Sequence, residues 1–204
     1  MSAAPPSGSS RLQLMVVGVG GQGVLTAARF LGEAGRLAGL EVVLSQLHGM
    51  SQWGGDVRST VRFGGYSSSF IEDGAADIVL GLEPLEVLRA RPKMSAHTKV
   101  VTNLSAVVPR LMAERGQTYP DPDLALAEVR ATVTDLVTVD ALTMAMAAGA
   151  RQSLNVVMLG VLAGLDLLPF NGDTLWRAVE ARGPARYIEA NRRAFGLGKE
   201  AVTT

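Results

Sequence analysis

Apolar and polar positions along this chain alternate between two periods, and the switches between them lay out its elements. Leu12 to Val17 is an unbroken apolar run, which predicts a strand buried on both faces, as parallel strands are. A glycine-rich turn follows, Gly18-Val19-Gly20-Gly21-Gln22-Gly23. From Val24 to Ala38 the period becomes helical, with Val24, Ala27, Ala28, Leu31, Ala34 and Ala38 on one stripe. Most of these are small, so the helix can lie close on a sheet. Gly39 stops it. Glu41 to Leu44 predicts a second strand, which would complete a right-handed βαβ unit.

Asp56 to Phe63 alternates as a half-exposed strand, with Val57, Ser59, Val61 and Phe63 on one face and Arg58, Thr60 and Arg62 on the other. Gly64-Gly65 turns it, and Ser68 to Ile71 is expected as the returning arm of an antiparallel hairpin. Ala76 to Leu82 and Thr98 to Leu104 read as buried strands. Pro84 opens a helix at a position that tolerates proline. A helix over Val107 to Arg115, a Pro-rich link at Tyr119-Pro120-Asp121-Pro122 and a short helix over Leu124 to Arg130 follow. Ala131 to Val139 is the last expected strand. Beyond Asp140 the pattern is helical: Ala141 to Ala148, Ser153 to Leu165, Asp173 to Ala181, and Ala185 to Phe195. The predicted fold class is α/β, a Rossmann-like, mostly parallel sheet with an antiparallel hairpin arm and a helical C-terminal layer. Residues 1–10 are rich in Pro, Ser and Gly and predict a disordered tail. Residues 11–204 show no internal repeat or boundary and are expected to form a single domain.

Composition narrows the function classes. With 48% hydrophobic and 19% charged residues the chain is globular. Lys and Arg number 19, equal to Asp and Glu, so no global charge favours nucleic acid or a membrane surface. The absence of cysteine excludes disulfides, a thiolate nucleophile and any cysteine-held iron–sulfur cluster or zinc site in this chain. The N-terminal stretch lacks the charged and apolar regions of a signal peptide. The longest apolar run, Val156 to Leu165, is about half a membrane span and reads as core. A cytoplasmic location is expected.

The glycines at 18, 20 and 23 fit the G-x-G-x-x-G spacing, with Gly21 as an extra, and the helix that follows could offer N–H groups to an anion. A nicotinamide-dinucleotide site, however, usually ends its second strand in an acidic residue that binds the ribose. Here that end is Leu44-Ser45-Gln46, so a ligand of another kind, or none, fits better. A tight strand-to-helix crossover with no ligand would need much the same glycines. His97 sits in a polar lead-in and reads as an exposed loop residue. Neither histidine has metal-ligand spacing, and there is no nucleophile elbow or Walker loop. Asp121/Asp123 and Glu72/Asp73/Asp77 read as turn and cap acids.

The segment Ser45 to Gly55 has neither period. It carries His48, Gly49, Met50, Ser51, Gln52, Trp53, Gly54 and Gly55, with Arg58 just beyond, at the sheet edge where α/β proteins place sites. Its bland alternative is a self-satisfied loop with Trp53 as a plug. Arg182, Arg186, Arg192 and Arg193 near the C-terminus read as a solvated, self-paired face, with Glu189 four residues before Arg193 as a partner; the sharper alternative is a contact with an anionic patch on a partner.

Four blocks together carry a resemblance over nearly all of the chain after the tail. They are Gly18 to Leu25, His48-Gly-Met-Ser-Gln52 with Gly54-Gly55, Asn155-Val-Val-Met-Leu-Gly160, and Glu189 to Phe195. On them the chain resembles the γ-type subunit of the 2-oxoacid:ferredoxin oxidoreductases, nearest to the small β subunit of the indolepyruvate type. The second block decides the branch. The family commonly has arginine where this chain has Trp53, and a small polar residue where it has Asp56. The resemblance implies that this chain binds no cofactor of its own and has no catalytic or metal-ligating residue. Thiamine diphosphate, magnesium and iron–sulfur clusters would belong to a large partner subunit. Coenzyme A and ferredoxin would be met through the complex, and the chain would be inactive alone. The candidate ligand- or partner-facing residues are those of the glycine turn, the His48–Gly55 loop, Arg58 and Asn155. Two rivals predict differently: a stand-alone nucleotide-binding oxidoreductase, and a purely structural subunit.

Overall fold

The computed structural model describes residues 11–48, 55–107 and 118–203. The apolar run at the start becomes β1 (Leu12–Val19), and the small-residue stripe becomes α1 (Val24–Leu37). They are followed by β2 (Val42–His48), β3 (Asp56–Phe63), β4 (Ile78–Gly81), α2 (Pro84–Arg89) and β5 (Lys99–Asn103). The chain then forms α3 (Pro122–Arg130), β6 (Asp135–Val139) and four helices: α4 (Ala141–Ala147), α5 (Leu154–Gly164), α6 (Gly172–Arg182) and α7 (Ile188–Glu200). Six strands make one sheet in the order β2-β3-β1-β4-β5-β6. β1, β4, β5 and β6 are mutually parallel, whereas β3 is antiparallel to both β1 and β2. The mostly parallel sheet with an antiparallel element is thus the expected class.

Its left half is wired differently from the expectation. β2 is not the neighbour of β1, because β3 lies between them. The physical reason is in β3 itself. One face, Val57, Val61 and Phe63, is buried against the α1 side, while Arg58 and Arg62 on the other are only half-buried. A strand with one polar face suits an antiparallel position beside the sheet edge. β2 also runs on past Leu44, pairing Ser45 with Thr60 and His48 with Val57, so the first part of the aperiodic segment is strand.

Ser68 to Ile71 is not a strand, which corrects the expected arm. Both edges of β3 are already taken. The segment instead crosses its polar face, where Thr60 Oγ1 donates to Ser69 O (2.8 Å) and Arg62 Nη1 to Ser68 O (2.7 Å) and Phe70 O (2.6 Å). The last strand is shorter than Ala131 to Val139, because the end of α3 tightens. Thr132 and Val133 N–H groups both bond back to Val129 O, and the strand starts at Asp135. The helix expected over Val107 to Arg115 falls almost wholly on residues 108–117, outside the described residues.

The sheet is covered on both faces. One core joins Leu14, Val16, Ile78 and Leu80 to α1 and the C-terminal helices, and the other joins Met15, Val17, Val79 and Val100 to Val87 of α2 and Val129 of α3. The apolar run read as core is α5, with residues Leu154 to Leu162 all buried. It can be apolar all round because it lies between the sheet side and α7. Glycine lets the two helices touch backbone to backbone. A Cβ on Gly198 would stand 2.1 Å from Val157 O, and one on Gly160 2.2 Å from Phe195 O.

Candidate functional site

The carboxyl ends of β1, β4, β5 and β6 meet at one edge, and side-chain amides hold that edge together. Gln22 folds back into its own turn: its Oε1 accepts Val19 N–H (2.7 Å) and its Nε2 donates to Leu82 O beyond β4 (3.0 Å). Asn103, at the end of β5, donates to the same Leu82 O (3.1 Å) and to Ser105 O (3.1 Å), and accepts Ala141 N–H at the start of α4 (3.1 Å). Gly18 is required by this arrangement, since a Cβ there would lie 2.8 Å from Gln22 Oε1. Gly23 has φ +84°, in the left-handed region, and Asn155 Nδ2 of α5 donates to its carbonyl (3.2 Å).

Above the turn two adjoining clefts share Gly21 and Gln22. One, of about 290 Å³, runs from Gly20 to Ser105, Val107, Leu142 and Arg151. The other, of about 220 Å³, is lined by Thr26, Phe30, Gln152, Asn155, Tyr187 and Asn191. Neither has an acidic residue among those lining it, and α1 has none in its first turn. A separate open groove of about 510 Å³ is lined by Leu104, by Asp123, Leu126 and Arg130 of α3, and by Thr138 of β6.

The structure brings some predicted residues together and separates others. Gly20 N–H bonds to Gly55 O (3.0 Å), so the glycine turn and the end of the His48–Gly55 loop meet at this edge. Residues 49–54, and with them Gly49, Met50, Ser51, Gln52, Trp53 and Gly54, lie outside the described residues. Arg58 is on the opposite, α2 face of the sheet from the clefts. Its guanidinium is 3.5 Å from Asp56, and its Nε is buried without a hydrogen-bond partner among the described residues. Asn155 lines the smaller cleft while tethering Gly23.

Sequence reasoning gave no site role to Asn103 or to Asn191, which it met only as a strand end and within the fourth block, and it passed over Gln152, Tyr187 and two buried acids, Glu83 and Glu86, on the α2 flank. A strand ending in Asn103 and a glutamate placed as an N-cap before Pro84 were the available signals. Burial raises the Glu86 carboxyl above its ordinary range, against the lowering by Arg89. Tyr119 is raised by burial first and then by its hydrogen bond to Glu83. His97 is exposed as expected. Of the C-terminal arginines, Arg182 pairs with Glu33 (3.2 Å) and Arg192 with Glu180 (2.6 Å). Arg193 bonds Ala148 O (2.9 Å), where a pair with Glu189 was the expectation. Among the described residues no group of three His, Cys, Asp or Glu could hold a metal ion, and none of the helices is long and apolar enough to cross a membrane.

Residues 13–201 match the family described as pyruvate ferredoxin/flavodoxin oxidoreductase, and the chain belongs to it. Within that class its relatives fall on one branch. It is 37% identical to the indolepyruvate oxidoreductase subunit IorB of Methanothermobacter thermautotrophicus, over 91% of this chain and 94% of that one. It is 34% identical to the subunit of the same name from Thermococcus kodakarensis, over 93% and 95%. The fold is similar to a keto/oxoacid ferredoxin oxidoreductase gamma subunit from Geobacter sulfurreducens, with TM-score 0.67, 21% identity and coverage of 94% and 98%. It is also similar to a 2-oxoglutarate:ferredoxin oxidoreductase from Magnetococcus marinus, solved with 2-oxoglutarate, coenzyme A and succinyl-CoA bound. That match has TM-score 0.69 and 21% identity, and covers 94% of this chain but 31% of that one. The resemblance carried by the four sequence blocks therefore holds, down to the IorB-like branch.

Proposed function

We propose that this chain is the cofactor-free small subunit of an aryl-pyruvate:ferredoxin oxidoreductase, and that its glycine-turn edge packs on the active-site region of a large thiamine-dependent subunit. The complex converts an aryl-pyruvate and coenzyme A to an aryl-acetyl-CoA and carbon dioxide, passing two electrons to ferredoxin. Thiamine diphosphate supplies the decarboxylation chemistry, and iron–sulfur clusters carry the electrons. Neither fits this chain, which has no cysteine and, among its described residues, no acidic metal cluster. The contribution of this chain is therefore positional: it excludes water from, and completes the walls of, a site whose chemistry lies in the partner.

The observation that carries this reading is the hydrogen bond from Gly20 N–H to Gly55 O. It joins two of the four resemblance blocks, the glycine turn and the block that decides the branch, at a single edge, beside clefts free of acidic lining residues. Coenzyme A approaches along this edge. Hydrogen exchange on the chain mixed with its large subunit tests the reading. Protection is expected at the glycine turn and around Gly55 and Arg58; protection elsewhere with none there overturns it. A thermal shift of the isolated chain by a nicotinamide or flavin nucleotide would favour a self-sufficient enzyme instead.

A further inference from the structure

The sheet has two outer strands, and they are finished differently. β6 is five residues long and begins at Asp135, which is paired with Lys99. β2 is seven residues long and holds no proline, lysine, arginine or acid. Its register with β3 runs without a bulge, and among the described residues no strand pairs with its outer side. Val42 to Gln46 are each half-buried. Bare N–H and C=O groups on such an edge invite another strand, and soluble proteins normally blunt them with charge, proline, a bulge or a covering element.

The backbone bonds show which groups of β2 face outward. Gly64 N–H bonds to Glu41 O, and these residues stand opposite each other where the β2–β3 register continues past Val42 and Phe63. Glu41 therefore faces β3, and alternation turns Val43, Ser45 and Leu47 the same way. The N–H and C=O groups of Val42, Leu44, Gln46 and His48 point to the open side. The other edge of β3 agrees. Gly20 N–H bonds to Gly55 O, so the odd-numbered residues of β3 face β1 and the even-numbered ones face β2.

In an antiparallel pair, opposite residues share a face, and outward-facing residues must meet outward-facing ones. A second copy of β2, related by a two-fold axis through Ser45 and normal to the sheet, meets both conditions. Val42 then stands opposite His48 and Leu44 opposite Gln46, all facing outward, while Val43 meets Leu47 and Ser45 meets itself. No like charges meet. An identical strand already carries the complement that a foreign strand would have to supply, and the two-fold closes both open edges at once. The helices leave room for it. Gly35 places α1 over Phe63 of β3, so two copies of α1 would stand three strand spacings apart, roughly 14 Å, beyond the roughly 8–10 Å of packed helices.

We propose that β2 is an interface between two copies of this chain, joined antiparallel about Ser45 into one continuous sheet. The paired strands run in opposite directions, so the two glycine-turn edges point away from each other and each stays open to a large subunit. The inference does not depend on the proposed function.

The test uses the full chain, alone and mixed with its large subunit, followed by sedimentation and light scattering. Wild type alone is expected to be a dimer. Gln46→Pro removes an outward N–H and spares the bonds to β3, since an edge strand tolerates proline where its N–H faces away from the ladder. Its self-association should be about a hundredfold weaker. Cross-linking reads the register, and the absence of native cysteine makes it clean. Ser45→Cys stands opposite its own copy in a non-hydrogen-bonded pair, where Cα atoms lie about 4.5 Å apart, within disulfide range. Oxidation should give a covalent dimer. Val43→Cys stands opposite Leu47, too far from its own copy, and should give none. A monomeric wild type, equal cross-linking at both positions or at neither, or an undiminished dimer in folded Gln46→Pro would each overturn the proposal. If Gln46→Pro does not fold, the two cysteine variants still decide. If wild type alone is monomeric and Gln46→Pro loses binding to the large subunit, that subunit supplies the strand and self-pairing is wrong.

Discussion

Gln22 shows how one side chain can change what a motif is for. Read along the sequence it belongs to a phosphate-type glycine turn. In the fold both ends of its amide are spent on Val19 and Leu82, so it braces the turn and cannot also bind a ligand without releasing the strand ends. Gln22→Ala removes both bonds and leaves Leu82 O with Asn103 alone. A loss of about 2 kcal/mol in denaturant unfolding is expected, together with weaker binding of the large subunit. Asp140 is a second local brace. It accepts Thr143 N–H (3.1 Å) and the Thr143 hydroxyl (2.7 Å), and these bonds, the hydroxyl first, hold its carboxyl below the ordinary range. A lowered carboxyl stabilises above its unfolded value and loses that contribution as pH falls through the folded one. Asp140→Ala should therefore cost about 1 kcal/mol at neutral pH, and the gap in melting temperature from wild type should narrow in acid.

Among the elements, the pairing of α5 with α7 is the one most exposed to a small change. Both helices present glycine where they cross, and Gly198 has the carbonyl of Val157 where a methyl would sit. A rigid backbone cannot give way as a side-chain tip can. Gly198→Ala should cost about 1–3 kcal/mol despite the better helix propensity of alanine. A rise in melting temperature instead would show that the helices can separate freely. β3 is the other decisive element. Its polar face made it legible as a half-exposed strand, and its insertion between β1 and β2 follows from that polarity only once both neighbours are known.

At the scale of the whole molecule, the C-terminal edge of the sheet has two flanks with different chemistry. The α1/α5 flank carries clefts with no acidic residue lining them. The α2 flank carries Asp56, Glu83 and Glu86 with Arg58 and Arg89. A chain with balanced overall charge thus still presents one edge that is chemically divided. If the large subunit covers this edge, exchange protection on mixing should appear on both flanks, at the glycine turn and at Arg58. Protection confined to the open groove beside β6 would place the interface at the other end of the sheet.

The sequence by itself determined the α/β class, the start and extent of most helices, the burial of the Val156 run and the glycine turn. Each of these rests on periodicity or backbone geometry within about a dozen residues, and local chemistry suffices to specify them. Tertiary structure decided the rest. The strand order depends on which edges are already occupied, so Ser68 to Ile71 crosses a face where a hairpin arm was expected. The convergence of Gln22 and Asn103 on Leu82 O joins residues far apart in sequence. So do the hydrogen bonds that Glu83 Oε1 accepts from Val107 N–H and the Tyr119 hydroxyl, since a buried side chain's partners are fixed by packing and leave no mark on the spacing along the chain.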